Sequence, residues 1–262
     1  MKILACIRQV SGTAEMHLAP KTNTLIYEGV SGIIDFDDKV GLEAALKLRE
    51  TVGGTVTAVC MGPSQADVAL REALAMGADE AYLLSDRAFG GSDASATAAI
   101  LAAAVKKIGF DLIITGQQAI DGDTAQVGPQ IAERLGIPQV SCVEELRAES
   151  GALVVRRRFE EQAHVLRVPL PCLATVLSTL NAPRYMHVGG IVDAYSRSIT
   201  VWTLDGLKDG LDPERIGPRG SPTAMFRSFG KQARVPGTVL SGLDPNQAVA
   251  AIMAQLIQRH LI

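Results

Sequence analysis

The sequence has little that marks a metal site, a membrane protein or a nucleic-acid-binding protein. Its four cysteines and four histidines are scattered, so no CxxC pair or histidine cluster indicates a metal site. No apolar run approaches the roughly 20 residues of a membrane span. The first ten residues lack the apolar run and cleavage site of a signal peptide. The formal net charge of -3 does not favour nucleic acid or anionic membranes as partners. We therefore expect a cytoplasmic protein.

Familiar nucleotide and catalytic motifs are absent as well. There is no GxGxxG after the first apolar run and no GxxxxGK[ST], which excludes the usual Rossmann and P-loop sites. No His/Ser/Asp spacing indicates nucleophilic catalysis. Hydrophobic residues nevertheless make up 47% of the 262 residues, which predicts a folded chain with a large core. Each cysteine lies in an apolar, strand-like run, which predicts buried, reduced thiols at Cys6, Cys60, Cys142 and Cys172.

Apolar runs and amphipathic runs alternate through the first half of the chain. This pattern is typical of βαβ units, in which helices cover both faces of a parallel sheet. The fold class is therefore α/β. We expect Ser64 and Ser92 to cap two of the helices and Gly77 to end one. The predicted strands are 2–10, 55–62, 80–86, 110–116 and 138–146, and the predicted helices are 37–50, 64–77, 92–109 and 123–135.

The second half has a different pattern. Alternating residues at about 150–170 predict an antiparallel hairpin added to the sheet. From residue 181 to about 243, Gly, Pro, Arg and Ser dominate, and we expect this stretch to contribute little core and to need a partner surface. Asp244 and Pro245 begin an amphipathic terminal helix. We therefore divide the chain into a nucleotide-binding domain, 1–180, and an extended partner-docking arm, 181–262.

The stretch "GQQAIDGDTAQVGP", residues 116–129, is unusually polar for a strand-to-helix connection. We expect Asp123 to cap the following helix, whose first N–H groups, on Thr124, Ala125, Gln126 and Val127, would suit a phosphate. Gly116 and Gly122 would provide backbone freedom. Asp121 would accept from ribose hydroxyls, and Gln117 and Gln118 would bond an adenine edge or a diphosphate.

A second interpretation of this stretch needs no ligand. Asp123 and Gln126 have the spacing of a capping box, which stabilises a helix start by itself. Two carboxylates also repel a phosphate unless they point at sugar hydroxyls. Residues 90–95, "GGSDAS", are similar to the SGGxDS loop of ATP pyrophosphatases, but they follow the third strand rather than the first, which favours a simple helix cap. The residues alone leave nucleotide binding and a capped loop equally open.

Three segments together identify a family resemblance. "ALREALAMGADEAYLLSD", "DLIITGQQAIDGDTAQVGPQIAERLGIPQV" and "NAPRYMHVGGI" resemble the β subunit of electron transfer flavoproteins, from the first strand to about residue 200. "GPRGSPTAM" resembles a segment of electron-bifurcating members. The resemblance implies an adenine-nucleotide-α-hydrolase-like fold and an α-subunit partner that carries FAD. It also implies docking of an acyl-CoA dehydrogenase-type flavoenzyme around residues 185–192.

The resemblance also implies a cofactor pocket, with two possible occupants. In bifurcating members it holds part of a second FAD, which takes a hydride from NADH and passes one electron to ferredoxin or flavodoxin. In other members it holds AMP as a structural ligand. The residues that the resemblance places in the pocket are Cys6, Asp35, Phe36, Asp37, Asp38, Met61, Gly116, Gln117, Gln118, Ala119, Ile120, Asp121, Gly122, Asp123, Thr124, Ala125, Gln126 and Val127.

This chain departs from the family pattern at several positions. The family usually has Asn-Pro where this chain has Asp35 and Phe36, and Pro-Asp where it has Ser11 and Gly12. We expect the subunit identity to survive these changes. A stand-alone ATP-binding protein of the same fold is a third hypothesis, which the partner-seeking C-terminal segment disfavours.

Overall fold

The computed structural model describes residues 1–12, 17–18, 25–26, 32–120, 122–224 and 237–262. These residues belong to two units, one within Met1–Arg227 and one within Ser228–Ile262. The strands are β1 (Lys2–Ile7), β2 (Gln9–Ser11), β3 (His17–Leu18), β4 (Leu25–Ile26), β5 (Gly32–Ile34), β6 (Thr55–Met61), β7 (Glu80–Leu84), β8 (Leu112–Gly116), β9 (Gln139–Glu149), β10 (Ala152–Phe159), β11 (Gln162–Pro169), β12 (Cys172–Val176) and β13 (Thr200–Trp202).

Helices connect most of these strands, and several short helical turns occur in the loops. The helices are α1 (Phe36–Val52), α2 (Asp67–Met76), α3 (Ala94–Ile108), α4 (Val127–Leu135), α5 (Val188–Ser196), α6 (Leu204–Leu207), α7 (Gly217–Gly220) and α8 (Pro245–Gln258), and the 3₁₀ turns are Ser64–Ala66, Arg87–Phe89 and Pro213–Arg215.

In the described residues, nine strands form one sheet in the order β11-β10-β9-β12-β8-β1-β6-β7-β13. The strands from β9 through β12, β8, β1, β6 and β7 to β13 run parallel, and β10 and β11 add an antiparallel hairpin at one edge. The predicted α/β fold, with its parallel sheet and hairpin, is confirmed. The hairpin residues Arg156 and Arg158 both pair with the buried Glu144 on β9.

The core lies on both faces of the sheet because both faces are covered. In β1, Ile3 and Ile7 pack on the side of α1 and α2, whereas Leu4 and Cys6 pack on the side of α3 and α4. This alternation follows from the two-residue period of a strand, and it explains why the parallel strands are continuously apolar. Cys6, Cys60 and Cys172 are buried as predicted, while Cys142 is only partly buried.

The predicted helix starts are wrong at two serines. Ser64 opens a 3₁₀ turn, and α2 begins at Asp67 without a side-chain cap. The cap of α3 is Asp93, whose carboxylate accepts from two first-turn N–H groups, while the Ser92 hydroxyl accepts from the distant N–H of Gly217. The stop at Gly77 is confirmed, with φ 123° closing α2.

The stretch from residue 181 to 243 contributes more core than the sequence predicts. Strand β13 pairs with β7 at the far edge of the sheet, and Leu207, Leu211 and Ile216 are buried against α3 and its neighbours. In the second unit, Asp244 caps α8 and Pro245 is its first residue, as predicted, and Asp244 also forms a complete capping box with Gln247. No helix within the described residues has the length and apolarity that a membrane crossing requires.

Candidate functional site

The strand order reverses between β1 and β8. The chain runs from β1 to β6 and β7 on one side and then returns to β8 on the other side of β1. In open parallel sheets, ligands bind beyond the carboxyl ends of the strands at such a reversal. A pocket lies there, between the ends of the two strands. It is lined by Cys6, Ile7, Arg8, Asp38, Met61, Thr97, Leu101, Thr115, Gly116, Gln117, Gln118, Thr124, Ala125, Gln126, Val127 and Gly128.

Asp38 links the two strands beneath this pocket. Its Oδ2 accepts from the backbone N–H of Arg8 at 2.9 Å and from the Arg8 Nε at 2.8 Å, while its Oδ1 accepts from the backbone N–H of Gly116 at 2.8 Å. Burial raises the pKa of Asp38, and Arg8 opposes that rise. The carboxylate therefore has a structural role: it joins the ends of β1 and β8 to the first turn of α1.

The thiols in this region are not nucleophiles at neutral pH. Burial raises the pKa of both Cys6 and Cys60 to about 12, and the carboxylate of Asp38 adds to the rise in each case. A thiolate is the reactive form of cysteine. Cys6 therefore acts as an apolar wall of the pocket. Within the described residues, no group of His, Cys, Asp and Glu side chains forms a metal site either.

Asp35 ties the polar loop to α1. It is the N-cap of α1, where its Oδ1 accepts from the N–H of Asp37 at 3.1 Å, and its Oδ2 accepts from the N–H of Ile120 at 3.1 Å. Asp35 is 3% exposed. Burial and the neighbouring carboxylates of Asp35 and Asp38 raise the pKa of Asp37. Asp35 therefore holds the polar loop to α1 through the backbone N–H of Ile120.

The loop reaches α4 later than the sequence predicts. Asp123 does not cap the helix: α4 begins at Val127, and Asp123 and Ala125 have left-handed φ angles of 47° and 54°. Among the residues that the structure describes, no side chain caps α4. The N–H groups of its first turn lie beside the pocket, and a left-handed residue before right-handed ones forms a concave set of N–H donors that suits an anion. The capping-box interpretation is therefore wrong for Asp123.

The need for glycine at Gly116 also differs from the prediction. Its backbone is outside the left-handed region, but a Cβ there would lie 2.6 Å from Asp38 Oδ1 and 2.8 Å from Asp38 N. Close packing, rather than backbone freedom, therefore requires glycine. At Gly122 the φ is also outside that region, and no described atom lies within 4 Å of an added Cβ. The structure of the described residues gives no reason for glycine at this position.

The left-handed φ of Ala125 leads to a stability prediction. Such a conformation costs an L-residue about 1–2 kcal/mol, part of which glycine regains despite its larger unfolded-state entropy. We expect Ala125→Gly to raise the free energy of unfolding by about 0.5 kcal/mol, measured by urea titration. As a matched control, Ala99→Gly in the interior of α3 should lower it by about 1 kcal/mol. Equal losses in both variants would contradict the strain at Ala125.

Not all residues predicted for the site line the pocket. Cys6, Asp38, Met61, Gly116, Gln117, Gln118, Thr124, Ala125, Gln126 and Val127 do so. The others do not line it: Asp35 and Ala119 are buried, Asp37 is partly buried, and Phe36, Ile120, Gly122 and Asp123 are exposed. Asp121, the predicted ribose ligand, lies outside the described residues.

Sequence reasoning missed six residues of the pocket wall, which are Ile7, Arg8, Thr97, Leu101, Thr115 and Gly128. Arg8 follows β1 directly, but the strand predicted over residues 2–10 included it. Thr97 and Leu101 come from α3, which packs beside α4. No sequence signal identifies them, because only the packing of the two helices shows which face of α3 lines the pocket.

The pocket is narrow in this structure. Its enclosed space is about 60 Å³, well below the roughly 300–1,000 Å³ of typical ligand pockets. This space is too small for a whole nucleotide as the lining stands. The contacts of Asp38 with Arg8 and Gly116 involve none of the lining residues 117–118 and 124–127.

A second candidate surface lies at residues 185–195. Arg184 anchors its start: the guanidinium donates to the buried Glu43 at 2.7 Å and 3.1 Å and to Glu50 at 2.6 Å. These carboxylates raise the pKa of Arg184. Large apolar side chains beyond this anchor face solvent, with Tyr185 98% exposed and Tyr195 70% exposed. Exposed patches of this kind mark interaction surfaces.

Comparison with known proteins gives consistent matches over the whole chain. The electron transfer flavoprotein domain matches residues 22–206. The chain is 50% identical over 264 residues to the caffeyl-CoA reductase-Etf complex subunit CarD of Acetobacterium woodii and 47% identical over 263 residues to the electron transfer flavoprotein subunit beta of Thermoanaerobacterium thermosaccharolyticum. It is 41% identical over 268 residues to the acryloyl-CoA reductase electron transfer subunit gamma of Anaerotignum propionicum. Each match covers 100% of both chains.

Proposed function

The chain belongs to the electron transfer flavoprotein family and has the β-subunit role in electron transfer; from this premise we propose that it binds the AMP half of an FAD in the pocket between β1 and β8. The observation that carries this proposal is the uncapped start of α4 beside that pocket, preceded by the left-handed Ala125. Its N–H groups suit a phosphate, and Thr124 adds a hydroxyl donor. Bound FAD would supply the redox chemistry, and the polypeptide would set its position and potential.

The polypeptide has a definite role in this proposal. The first-turn N–H groups of α4 hold the phosphate, and Gln117 and Gln118 bond the diphosphate or the adenine edge. Asp121 remains the proposed ribose acceptor. The Asp38 carboxylate is occupied by Arg8 and Gly116, so it holds the floor rather than the ligand. Arg8 is also on the lining, but its guanidinium is paired with Asp38 at 2.8 Å and lies 3.8 Å from Asp35, so its charge is balanced by these carboxylates.

We further propose NADH as the electron source, with bifurcation to ferredoxin or flavodoxin and to an acyl-CoA dehydrogenase-type partner. Two of the relatives support the class of partner, because their names place them in complexes with caffeyl-CoA reductase and acryloyl-CoA reductase. The "GSPT" segment at residues 220–223 supports the bifurcating type. We place the complex in the cytoplasm. The alternative is a non-bifurcating β subunit that retains AMP as a structural ligand.

Two exposed apolar surfaces support the proposed partners. The patch of Tyr185, Val188, Val192 and Tyr195 would dock the dehydrogenase-type flavoenzyme, and the Glu43–Arg184 anchor holds it in place. In the second unit, α8 exposes Val249, Ile252, Met253 and Ile257. An amphipathic helix whose apolar side chains are this exposed fits a partner surface, and we assign it to the α subunit.

Cofactor content tests the proposal. The protein is co-expressed with its α subunit, its ligands are released by acid, and FAD and AMP are counted per heterodimer. We expect two FAD and no AMP. One FAD and one AMP would reject the second flavin and leave the structural alternative. A heterodimer in which the α-subunit FAD is the sole adenine nucleotide would contradict nucleotide binding between β1 and β8.

A further inference from the structure

Three carboxylates lie together at the start of α1, beside the pocket between β1 and β8. Asp35 caps this helix, Asp37 and Asp38 follow in its first turn, and Asp38 is on the pocket lining. A Cβ added at Gly116, another lining residue, would lie 2.8 Å from the Cβ of Asp37. The acidic group is therefore next to the space that the proposed nucleotide would occupy.

Among the described residues, one cation faces this acidic group. The Arg8 guanidinium donates to Asp38 at 2.8 Å and lies 3.8 Å from Asp35. Lys39, the next residue of α1, is paired with Glu72 on α2 instead. The strands β5, β8 and β12 contain no charged residue, and the loop after β8, residues 117–126, contains two further aspartates and no basic residue. Three carboxylates therefore share a single positive side chain.

Asp37 is the carboxylate of the three that has no partner. Asp35 accepts from two backbone N–H groups, and Asp38 accepts from Arg8 and Gly116. The partly buried Asp37 side chain accepts no hydrogen bond and forms no ion pair within the part of the chain that the structure describes. The partial positive charge at the start of α1 favours a carboxylate there, but burial and the charges of Asp35 and Asp38 raise the pKa of Asp37. A proton would therefore enter the group most easily at Asp37.

A nucleotide would add negative charge to this group. Its phosphate would lie at the first turn of α4, in a pocket whose lining includes Asp38. A like charge nearby disfavours the charged form of a carboxylate and raises its pKa. Arg8 does not offset the phosphate, because its charge is already shared by Asp38 and Asp35. Protonation of the unpaired carboxylate would therefore relieve the repulsion that the ligand brings.

We propose that the subunit takes up a proton at Asp37 when it binds a phosphate-bearing nucleotide, so that its affinity for this ligand rises as the pH falls. This inference rests on the proposed nucleotide function and adds a pH-dependent control to it. The sign follows from linkage: a ligand that raises the pKa of Asp37 binds more tightly to the protonated form. The effect is largest between the pKa values of Asp37 in the free and the occupied protein, and it vanishes well above both.

The test uses the heterodimer with the α subunit after the nucleotide of this chain has been removed by dialysis, and the probe is ADP-ribose. The phosphate diesters of ADP-ribose carry a fixed charge, unlike the phosphate of AMP, whose second pKa is about 6. Calorimetric titrations at about pH 5.5, in two buffers of different ionisation enthalpy, count the protons taken up. We expect about 0.5 proton per bound ligand, and an affinity about fivefold higher at about pH 5.5 than at about pH 7.5.

Asp37→Asn keeps the shape of the side chain and removes its charge. We expect this variant to take up less than about 0.1 proton and to bind ADP-ribose equally at both pH values. Its affinity at the higher pH should exceed that of the wild type, because the unpaired charge is gone. Asp205→Asn is the matched control: Asp205 is an exposed aspartate in the first turn of α6, outside the pocket lining, and its replacement should leave proton uptake and affinity unchanged.

Two results would overturn the inference while leaving the nucleotide function intact. One is binding of ADP-ribose by the wild type without proton uptake, and the other is equal uptake in Asp37→Asn and the wild type. The first result needs no variant, so it decides the question even if Asp37→Asn does not fold. If the wild type did not bind ADP-ribose at either pH, the proposed nucleotide function itself would fail.

Discussion

Replacing Gly116 by alanine is expected to destabilise the protein and to disrupt the proposed nucleotide pocket together. The added methyl would lie 2.6 Å from Asp38 Oδ1 and 2.8 Å from both Asp38 N and Asp37 Cβ. Asp38 N and Asp37 Cβ are fixed in the first turn of α1, so the steric clash can be relieved only if β8 moves away from that helix. Overpacking of a rigid core costs about 1–3 kcal/mol, and the loss of the bond from Gly116 N to Asp38 adds about 1 kcal/mol. We expect a total near 3 kcal/mol in urea unfolding and at least a tenfold loss of nucleotide retention.

Gly122→Ala is the matched control for this experiment. It makes the same chemical change in the same loop region, but no described atom lies within 4 Å of the added methyl. Its free energy of unfolding should stay within about 0.5 kcal/mol of the wild type. If Gly116→Ala proved as mild as Gly122→Ala, the contact of β8 with α1 would be looser than the structure has it. If only nucleotide retention fell, Gly116 would contact the ligand rather than support the floor.

The architecture could be predicted because its signals are local and repeated. Continuous apolar strands such as β1 and β8 are typical of a sheet covered on both faces, and each is followed by an amphipathic run. The hairpin of β10 and β11 followed from its two-residue alternation. These patterns depend only on neighbours in sequence. The predicted strand 2–10 is an exception, because β1 ends at Ile7 and β2 pairs with the distant β5 instead.

The helix starts could not be predicted to the residue because tertiary contacts select the cap. Ser92 and Asp93 are both good capping residues. In the structure the Ser92 hydroxyl accepts from the N–H of Gly217, so Asp93 caps α3 instead. The Asp93 carboxylate also accepts from the Thr223 hydroxyl. Partners more than 120 residues away decide between two adjacent candidates. At α4, the strained turn at Ala125 delays the helix, and no sequence signal required it.

The candidate site was predicted in outline and missed in its charge arrangement. Residues 116–118 and 124–127 line the pocket, as expected from the polar loop after β8. The acidic residues at the start of α1 were expected to line the pocket. Asp38 does so while it binds Arg8, whereas Asp35 binds the loop backbone and is not part of the lining. The pairing of Asp38 with Arg8 joins residues 30 apart, and only the packing of α1 on the sheet brings them together.

Removing the guanidinium of Arg184 is expected to give the second large effect. Arg184→Met keeps most of the side-chain length but leaves the Glu43 carboxylate, 2% exposed, without its nearest cation. Breaking a buried ion pair in this way costs 3–5 kcal/mol. Two features reduce this loss of stability: the Arg184 side chain is 32% exposed, and the Lys47 ammonium lies 3.8 Å from the Glu43 carboxylate. We expect the free energy of unfolding to fall by about 2 kcal/mol.

The double variant Glu43→Gln/Arg184→Met distinguishes two effects: the loss of the ion pair itself, and the cost of leaving the Glu43 carboxylate buried without a cation. A neutral amide at position 43 removes the buried charge, so the double variant should be more stable than Arg184→Met alone, and the cycle should give a coupling above about 1 kcal/mol. The exposed pair Arg147–Glu149 is the control, where Arg147→Met should cost less than about 1 kcal/mol. Because Arg184 directly precedes Tyr185, Arg184→Met should also weaken binding of the proposed dehydrogenase-type partner by more than the loss of stability alone would. If partner affinity instead changed only in proportion to stability across the variants, the Glu43–Arg184 pair would stabilise α1 and residues 185–195 without determining the shape of the proposed docking surface.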